Sequence, residues 1–452
     1  MSICTSNPIS SFLHSRELHH PPAEVLTHAK RCLTDLLATL ASGSETELSS
    51  IIKTFASASF GAGGEHVAFS LNGNVRLSPA GAALVDAMTI DSMDAHDGHA
   101  LTKGHVGCAV VAALASSVQQ GGWTPDGREF LTLLAAGYEI GTRAGIALHA
   151  TADDYHSSGA WNAITCAALV GHTLGLSEVQ FTEALGIAEY HGPRSQLMRD
   201  VDFPTMVKDG SGWGAMAGVS AAHLAKLGFT GAPALLVMAD NVQKYWSDLG
   251  HNWRIFEQYF KPYPVCRWAH PAIDAALALK KSHQLKPSDI KQVRVQTFHT
   301  ATRLSQVPPQ TTDQAQYATC YPLAVALCHD GVHPRQIMES QLTNPQVLEV
   351  FNKIVVAEEP EFTKRFPAER LATLEVLCHD GTILTSGPQV AKGDPKNPLS
   401  DSDLTDKYFD LTTPVWGEER ARKIYDLVQG LDQEGASALD LLCQVRSAHE
   451  LA

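Results

Sequence analysis

Positive charge is scarce in this chain. Its 452 residues carry 34 Lys and Arg against 48 Asp and Glu, a formal net charge of -14. No basic surface that would hold nucleic acid or an anionic membrane is therefore expected. Long apolar runs are missing too. No stretch of about 18 uninterrupted apolar residues occurs, so no transmembrane helix is expected. The opening residues, MSICTSNPISSFLHSRELHH, lack a basic start followed by an apolar run and do not read as a signal peptide. CxxC pairs are absent. The nine cysteines (Cys4, Cys32, Cys108, Cys166, Cys266, Cys320, Cys328, Cys378 and Cys443) are scattered and odd in number. A disulfide framework, a structural zinc site and a conventional iron–sulfur run are all disfavoured. Reduced, mostly buried thiols in a cytoplasmic protein are the expectation. There is no internal repeat and no low-complexity tract.

What is present points to a large, two-domain globular chain, since 452 residues exceed one ordinary core and 44% are hydrophobic. The first part reads as helix after helix. Residues 23–42 place Val25, Ala29, Cys32, Leu33 and Leu36 at helical spacing, with Gly43 as a stop. Residues 105–117, 160–172 and 211–227 are small and apolar nearly all round, as buried helices are. The character changes near residue 270. Residues 291–299 alternate as a strand does, residues 353–357 and 371–378 are further strand candidates, and Asp380-Gly381 links to 382–385 as a hairpin. A helix is expected around 319–329. Residues 391–401 form a polar connection, and helical periodicity returns after 416.

Four polar clusters stand out. The densest, residues 91–107, holds Asp91, Asp94, His96, Asp97, His99, Lys103 and His105 just before a buried helix. Its spacing fits a metal site, an acid–base site or a solvated turn that caps helices. So many titratable groups abutting an apolar helix favour function. In the second cluster, Asp153 to Ser158, His156 stands at a helix entry, where backbone N–H dipoles favour anions, although a His there also serves as a structural cap. The third supplies Arg194, Arg199 and Lys208 ahead of a glycine-rich helix start. No GK[ST] follows, so the glycines read as close helix packing rather than a phosphate loop. The cations are more suggestive, because Arg can hold a carboxylate bidentately. The fourth, KPYPVCRWAH, puts Lys261, Cys266, Arg267 and His270 at the change of character, where ligand sites often lie. Cys266 between two cations is a weaker candidate for a low-pKa nucleophile.

These clusters, in this order, resemble the MmgE/PrpD family, which includes 2-methylcitrate dehydratase, cis-aconitate decarboxylase and iminodisuccinate epimerase. The resemblance runs over nearly the whole chain. It takes in AEVLTHAKRCLTDLLATLASG, SMDAHDGH, YHSSGAWNAITCAALVGHTLGL, GVSAAHLAKLGFTGAP, KPYPVCRWAHPAIDAAL, QYATCYPLAVALCHDG and KGDPKNPLSDSDLTDKY. It implies a mostly α fold: a helical domain built from both chain ends (1–268 and 402–452) with an inserted smaller α+β lid domain (269–401). It also implies a homodimer and an active site in the cleft, without metal or organic cofactor. Carried over by matching motifs, the catalytic set is Asp94, His105, His156, Lys208, Lys261 and Tyr317. His96, His99, Lys103, Arg194, Arg199, Cys266 and His270 are the expected substrate-binding neighbours. The chain departs from the decarboxylase pattern at Gly98, where that pattern has Thr, at Cys266, where it has a second His, and in a spacing from Asp94 to His105 one residue longer.

The residue types agree with that chemistry. Dehydration, decarboxylation and epimerisation of small di- or tricarboxylates all move a proton or a carboxyl group beside a carboxylate. Each needs fixed cations to stabilise the charge that develops. The reading is a cofactor-independent lyase, most simply a hydro-lyase. An epimerase, a decarboxylase and a catalytically silent carboxylate-binding protein are the alternatives.

Overall fold

Small residues decide how the helices pack. In the computed structural model, which describes residues 6–63, 67–118 and 123–446, helix Gly159–Thr173 lies along helix Ser211–Lys226. A Cβ on Gly214 would stand 2.5 Å from the Gly159 carbonyl oxygen, an approach that only glycine permits. Helices Pro79–Asp91 and Gly107–Val118 join the same group, sealed by Ala83, Ala87, Ala109, Ala112 and Ala215. Every residue of Gly107–Val118 is buried, as its lack of a polar face requires.

The helix expected over 23–42 runs Ala23–Gly43. It ends at the glycine, as expected, but not through a left-handed cap: the backbone stays right-handed through Ser44, at φ -63°. Gly43 also admits helix Pro79–Asp91, since a Cβ there would fall 2.0 Å from the Thr89 carbonyl oxygen. Helices Glu47–Ser59, Gly127–Thr151 and Glu178–His191 complete the first half.

The second half contains a five-stranded sheet. Strand Ile290–Thr297 runs parallel to Ile354–Glu358 and antiparallel to Leu371–Cys378, which also pairs with Ile383–Thr385 and Gln389–Val390. Val293, Val295 and Thr297 face inward while Arg294 faces out, the period-2 pattern of a half-buried strand. Helices His270–His283 and Cys320–Cys328 pack together on this sheet. Most buried apolar residues of the helical and sheet regions form one continuous cluster, with three smaller clusters in the helical region.

The chain then returns. Helix Asp401–Trp416 starts on a Ser400–Asp403 capping box and packs along Ala23–Gly43. Helices Glu418–Gln429 and Ala438–Arg446 follow. Periodicity placed the return only after 416; the polar start of Asp401–Trp416 hid a full helix. Among the described residues no helix is long and apolar enough to cross a membrane.

Asp86 is fully buried in helix Pro79–Asp91. Burial pushes its pKa up to about 7, only partly offset by hydrogen bonds from the Ser70 hydroxyl and the Leu71 N–H. A carboxyl raised in the fold favours folding while it keeps its proton. That contribution is complete below the unfolded value, near 3.8, and is lost as pH rises towards 7. Asp86→Asn should therefore flatten the fall in stability between pH 5 and 7, by at most about 1.4 kcal/mol per pH unit. Urea denaturation of both proteins across that range checks this; parallel curves would mean that Asp86 is ionised throughout.

Candidate active site

The loop after helix Pro79–Asp91 is a polar segment inside the protein: residues 91 to 99 are all buried. A short antiparallel pairing of Gly98–His99 with Gln258–Tyr259 brings the approach to Lys261 against this loop. The Lys261 ammonium forms an ion pair with the Asp94 carboxylate, both side chains being almost wholly enclosed. Burial alone would push Asp94 up; the ammonium charges of Lys261 and Lys208 outweigh it and hold the carboxyl well below its usual range. Burial would likewise lower Lys261, and the Asp94 charge overrides it. Both groups are charged.

His105 begins the turn into helix Gly107–Val118. Its Nδ1 lies 2.5 Å from the Asp97 carbonyl oxygen, which can only accept, so Nδ1 carries the hydrogen and Nε2 the lone pair. Burial, then the Lys261 charge, drives its pKa well below the ordinary value. The ring is a neutral base. Its Nε2 stands 3.4 Å from Asp209 and 3.9 Å from Asp94. Burial and the neighbouring Asp91 raise Asp209 well above the usual range, against a 2.9 Å hydrogen bond donated by Ser158, so the site favours its protonated form. Ser158 also accepts the His105 backbone N–H at 2.9 Å.

Lys208 occupies the left-handed region at φ +49°, a conformation that costs a β-carbon-bearing residue energy and is concentrated at functional sites. Its ammonium donates to Gln316 Oε1 at 2.8 Å, lies 3.5 Å from Asp313 and sits over the Tyr317 ring, 5.2 Å from the centroid. Lys103, at φ +57°, sits over the Tyr155 ring in the same way, also at 5.2 Å. Gln316 joins these parts. Its Oε1 also accepts the Asp94 N–H at 2.8 Å, and its Nε2 donates to the Ser92 carbonyl and the Thr312 hydroxyl, both at 3.1 Å. Gln316 and Asp209 carry no motif of their own, and the sequence reading passed over both. The one signal was position, each standing beside a residue already singled out.

Asp94, Lys103, His105, Tyr155, Asp209, Tyr259, Lys261, Cys266, Arg267, Tyr317 and Arg370 line a cavity of about 40 Å³. That is room for about one or two waters, so a six-carbon acid enters only if the lining moves apart. A wider hollow of about 540 Å³, bounded by Arg199, Lys208 and Trp213, shares Leu197 with it. Gly98 is essential to the inner cavity: a Cβ there would meet the Tyr259 hydroxyl at 2.5 Å and His105 Nδ1 at 2.9 Å. Tyr259 fills the space that a threonine would need.

Several expected site residues do not reach this cavity. His156 lies outside its lining, with Nδ1 against the Asp154 carbonyl at 2.8 Å and its N–H donated to His149. His99 is engaged by Glu257 at 2.8 Å, and His270 by Arg267 and the Val265 carbonyl. Arg194 is solvent-exposed, and Arg199 is an exposed residue of the outer hollow. His96 packs edge-on behind His105, ring centroids 4.3 Å apart. Cys266 does line the cavity, but burial, then the Asp94 charge, push its thiol up to about 12, which removes the nucleophile reading. Asp94, His96 and His105 each offer a metal-ligating atom within 4.8 Å of the others. Lys261 already provides a cation to Asp94, so a metal ion would compete with it.

Removing one partner of a buried ion pair leaves the other unpaired. Lys261→Met should cost about 3–5 kcal/mol of stability, and adding Asp94→Asn should return part of it. Denaturant titration of the two single variants and the double variant measures this coupling. A Lys261→Met loss no larger than that of a surface substitution would contradict the pairing.

Comparison with known proteins agrees with this architecture in extent. The chain matches the MmgE/PrpD N-terminal domain over residues 7–249 and the MmgE/PrpD C-terminal domain over residues 263–433. Among similar curated proteins, the cis-aconitate decarboxylase of Homo sapiens is 24% identical, with 97% of this chain and 94% of that protein covered. The cis-aconitate decarboxylase of Aspergillus terreus is also 24% identical, over 82% and 83%, and that of Mus musculus is 23% identical, over 98% and 94%. With both family domains matched in order along its length, this chain belongs to the MmgE/PrpD family.

Proposed function

We propose that this protein is a lyase that acts on a small di- or tricarboxylic acid by abstracting a proton next to a carboxylate. The observation that carries the reading is His105: a neutral imidazole whose free Nε2 faces an enclosed cavity beside a charged Lys261–Asp94 pair. The decarboxylase relatives, named for a tricarboxylate, support the substrate class.

Dehydration is the finer reading. It needs one base and one acid, and His105 and Asp209 supply that combination within 3.4 Å. His105 Nε2 takes the C–H proton, the electron pair forms the double bond as C–O breaks, and hydroxide leaves as water with the Asp209 proton. Lys208 and Lys261 hold the carboxylate on which charge grows, with Tyr317 orienting it. Decarboxylation is the second reading, favoured by the names of the relatives; epimerisation would use the same base. Lys261 does the electrostatic work of a divalent ion, so we propose that no metal or organic cofactor is needed. Residues 1–268 and 402–452 would form the body and 269–401 the lid.

The test is NMR in deuterated water, after exhaustive chelation, with 2-methylcitrate, citrate, cis-aconitate and iminodisuccinate. Water loss from a hydroxy acid is expected. CO2 release from cis-aconitate alone would move the assignment to decarboxylation, and inversion to epimerisation. Activity restored only by a divalent ion would make Asp94, His96 and His105 a metal site. His105→Gln should slow turnover by roughly 100-fold or more. His156→Gln should slow it much less, and an equal loss would return His156 to the chemistry.

We also propose a homodimer formed through the helical region. Ile51, Phe55, Phe203, Val207 and Trp213 leave apolar surface exposed there, and the Phe55 and Trp213 rings lie 6.4 Å apart. Sedimentation at micromolar concentration should give two copies of the 48.6 kDa chain; a monomer alone would contradict it.

A further inference from the structure

Arg143, Arg267 and Lys261 are buried cations, and each is matched. Arg143 has Glu139 and Asp248, Arg267 has Asp394 and two backbone carbonyls, and Lys261 has Asp94. Arg370 is buried to the same degree, 5% exposed, and is not matched. It stands immediately before strand Leu371–Cys378. Among the described residues no carboxylate lies within ion-pair distance of it, and its Nε has no hydrogen-bond partner. Its guanidinium has only the face of Tyr259, 5.5 Å from the centroid.

A guanidinium keeps its charge at any physiological pH, and enclosing one without a counter-charge is costly. A ring face offsets only a small part of that cost. Arg370 borders the inner cavity, next to Lys103, which likewise has no carboxylate partner among the described residues. The counter-charge that both lack is what an anionic ligand brings.

We infer that Arg370, with Lys103 beside it, receives a second carboxylate of the substrate, separate from the one held by Lys208 and Lys261. This rests on the polycarboxylate reading above and sharpens it: the substrate carries at least two carboxylates, and a monocarboxylate leaves Arg370 unpaired. The planar fork of the guanidinium suits bidentate capture, which a lysine cannot reproduce.

Calorimetric titration with tricarballylate, an unreactive tricarboxylate, tests the assignment in wild type, Arg370→Lys and Arg370→Met. Tricarballylate should bind Arg370→Met about 30-fold more weakly than wild type, with Arg370→Lys in between. Butyrate, with one carboxylate, should bind all three alike. Without ligand, Arg370→Met should melt at the wild-type temperature or above, because an unpaired buried charge has been removed. An unchanged tricarballylate affinity, no binding to wild type at millimolar concentration, or a lower melting temperature of ligand-free Arg370→Met would each overturn the assignment. If Arg370-dependent binding is found but no polycarboxylate is turned over, the lyase reading fails and this one stands.

Discussion

A charged pair in a buried place governs the site. Lys261 and Asp94 are both ionised and both enclosed, so each is tolerable only while the other is in position. Everything nearby is arranged around that demand. Gln316 fixes the Asp94 backbone and the Lys208 ammonium with one carbonyl oxygen. His105 is kept neutral by burial first, and then by the same Lys261 charge that keeps Asp94 ionised. One electrostatic arrangement thus sets an anion, a cation and an uncharged base within one cavity, although the protein as a whole carries an excess of negative charge.

The helices make that enclosure possible. Glycine and alanine at the contacts bring backbones within touching distance with no side-chain layer between them. The same close packing leaves the polar loop from 91 to 99 nowhere to relax, so its titratable groups satisfy one another or remain poised. Lys103 and Lys208, both held in a left-handed conformation, mark where the backbone accepts a local cost to aim an ammonium.

Much of this was legible in the residues. The alternation of Val293, Val295 and Thr297 announced its strand, and the small-residue runs announced the buried helices, because in both cases burial sets the pattern directly. Asp94, His105, Lys208, Lys261 and Tyr317 were singled out through dense polar clusters and family resemblance; all but Lys208 line the inner cavity, and Lys208 faces the outer hollow with its ammonium over Tyr317. Gln316, Asp209 and Arg370 were not found. Each stands out only by what it faces across the fold, and a single Gln, Asp or Arg has no periodic or spaced signature to betray that. Gly43 was read as a helix stop, and the helix does end there; its second role, admitting helix Pro79–Asp91, shows only once the neighbouring helix is known. His99 and His270 looked like site residues because they stand in the right clusters, yet each points to a partner of its own.

Lys407 ties the end of the chain to its chemistry. From helix Asp401–Trp416 its ammonium reaches Asp35 and donates to the Ala95 carbonyl at 2.6 Å, directly beside Asp94. The polar loop is therefore braced from behind by a residue made more than 300 positions later. During synthesis, a ribosome-bound chain that already contains every residue lining the inner cavity still lacks this brace. The loop acquires its final support only once the returning helix has left the exit tunnel. A chain cut short after the sheet would thus hold every residue of the inner cavity without the strut that braces the loop beside Asp94.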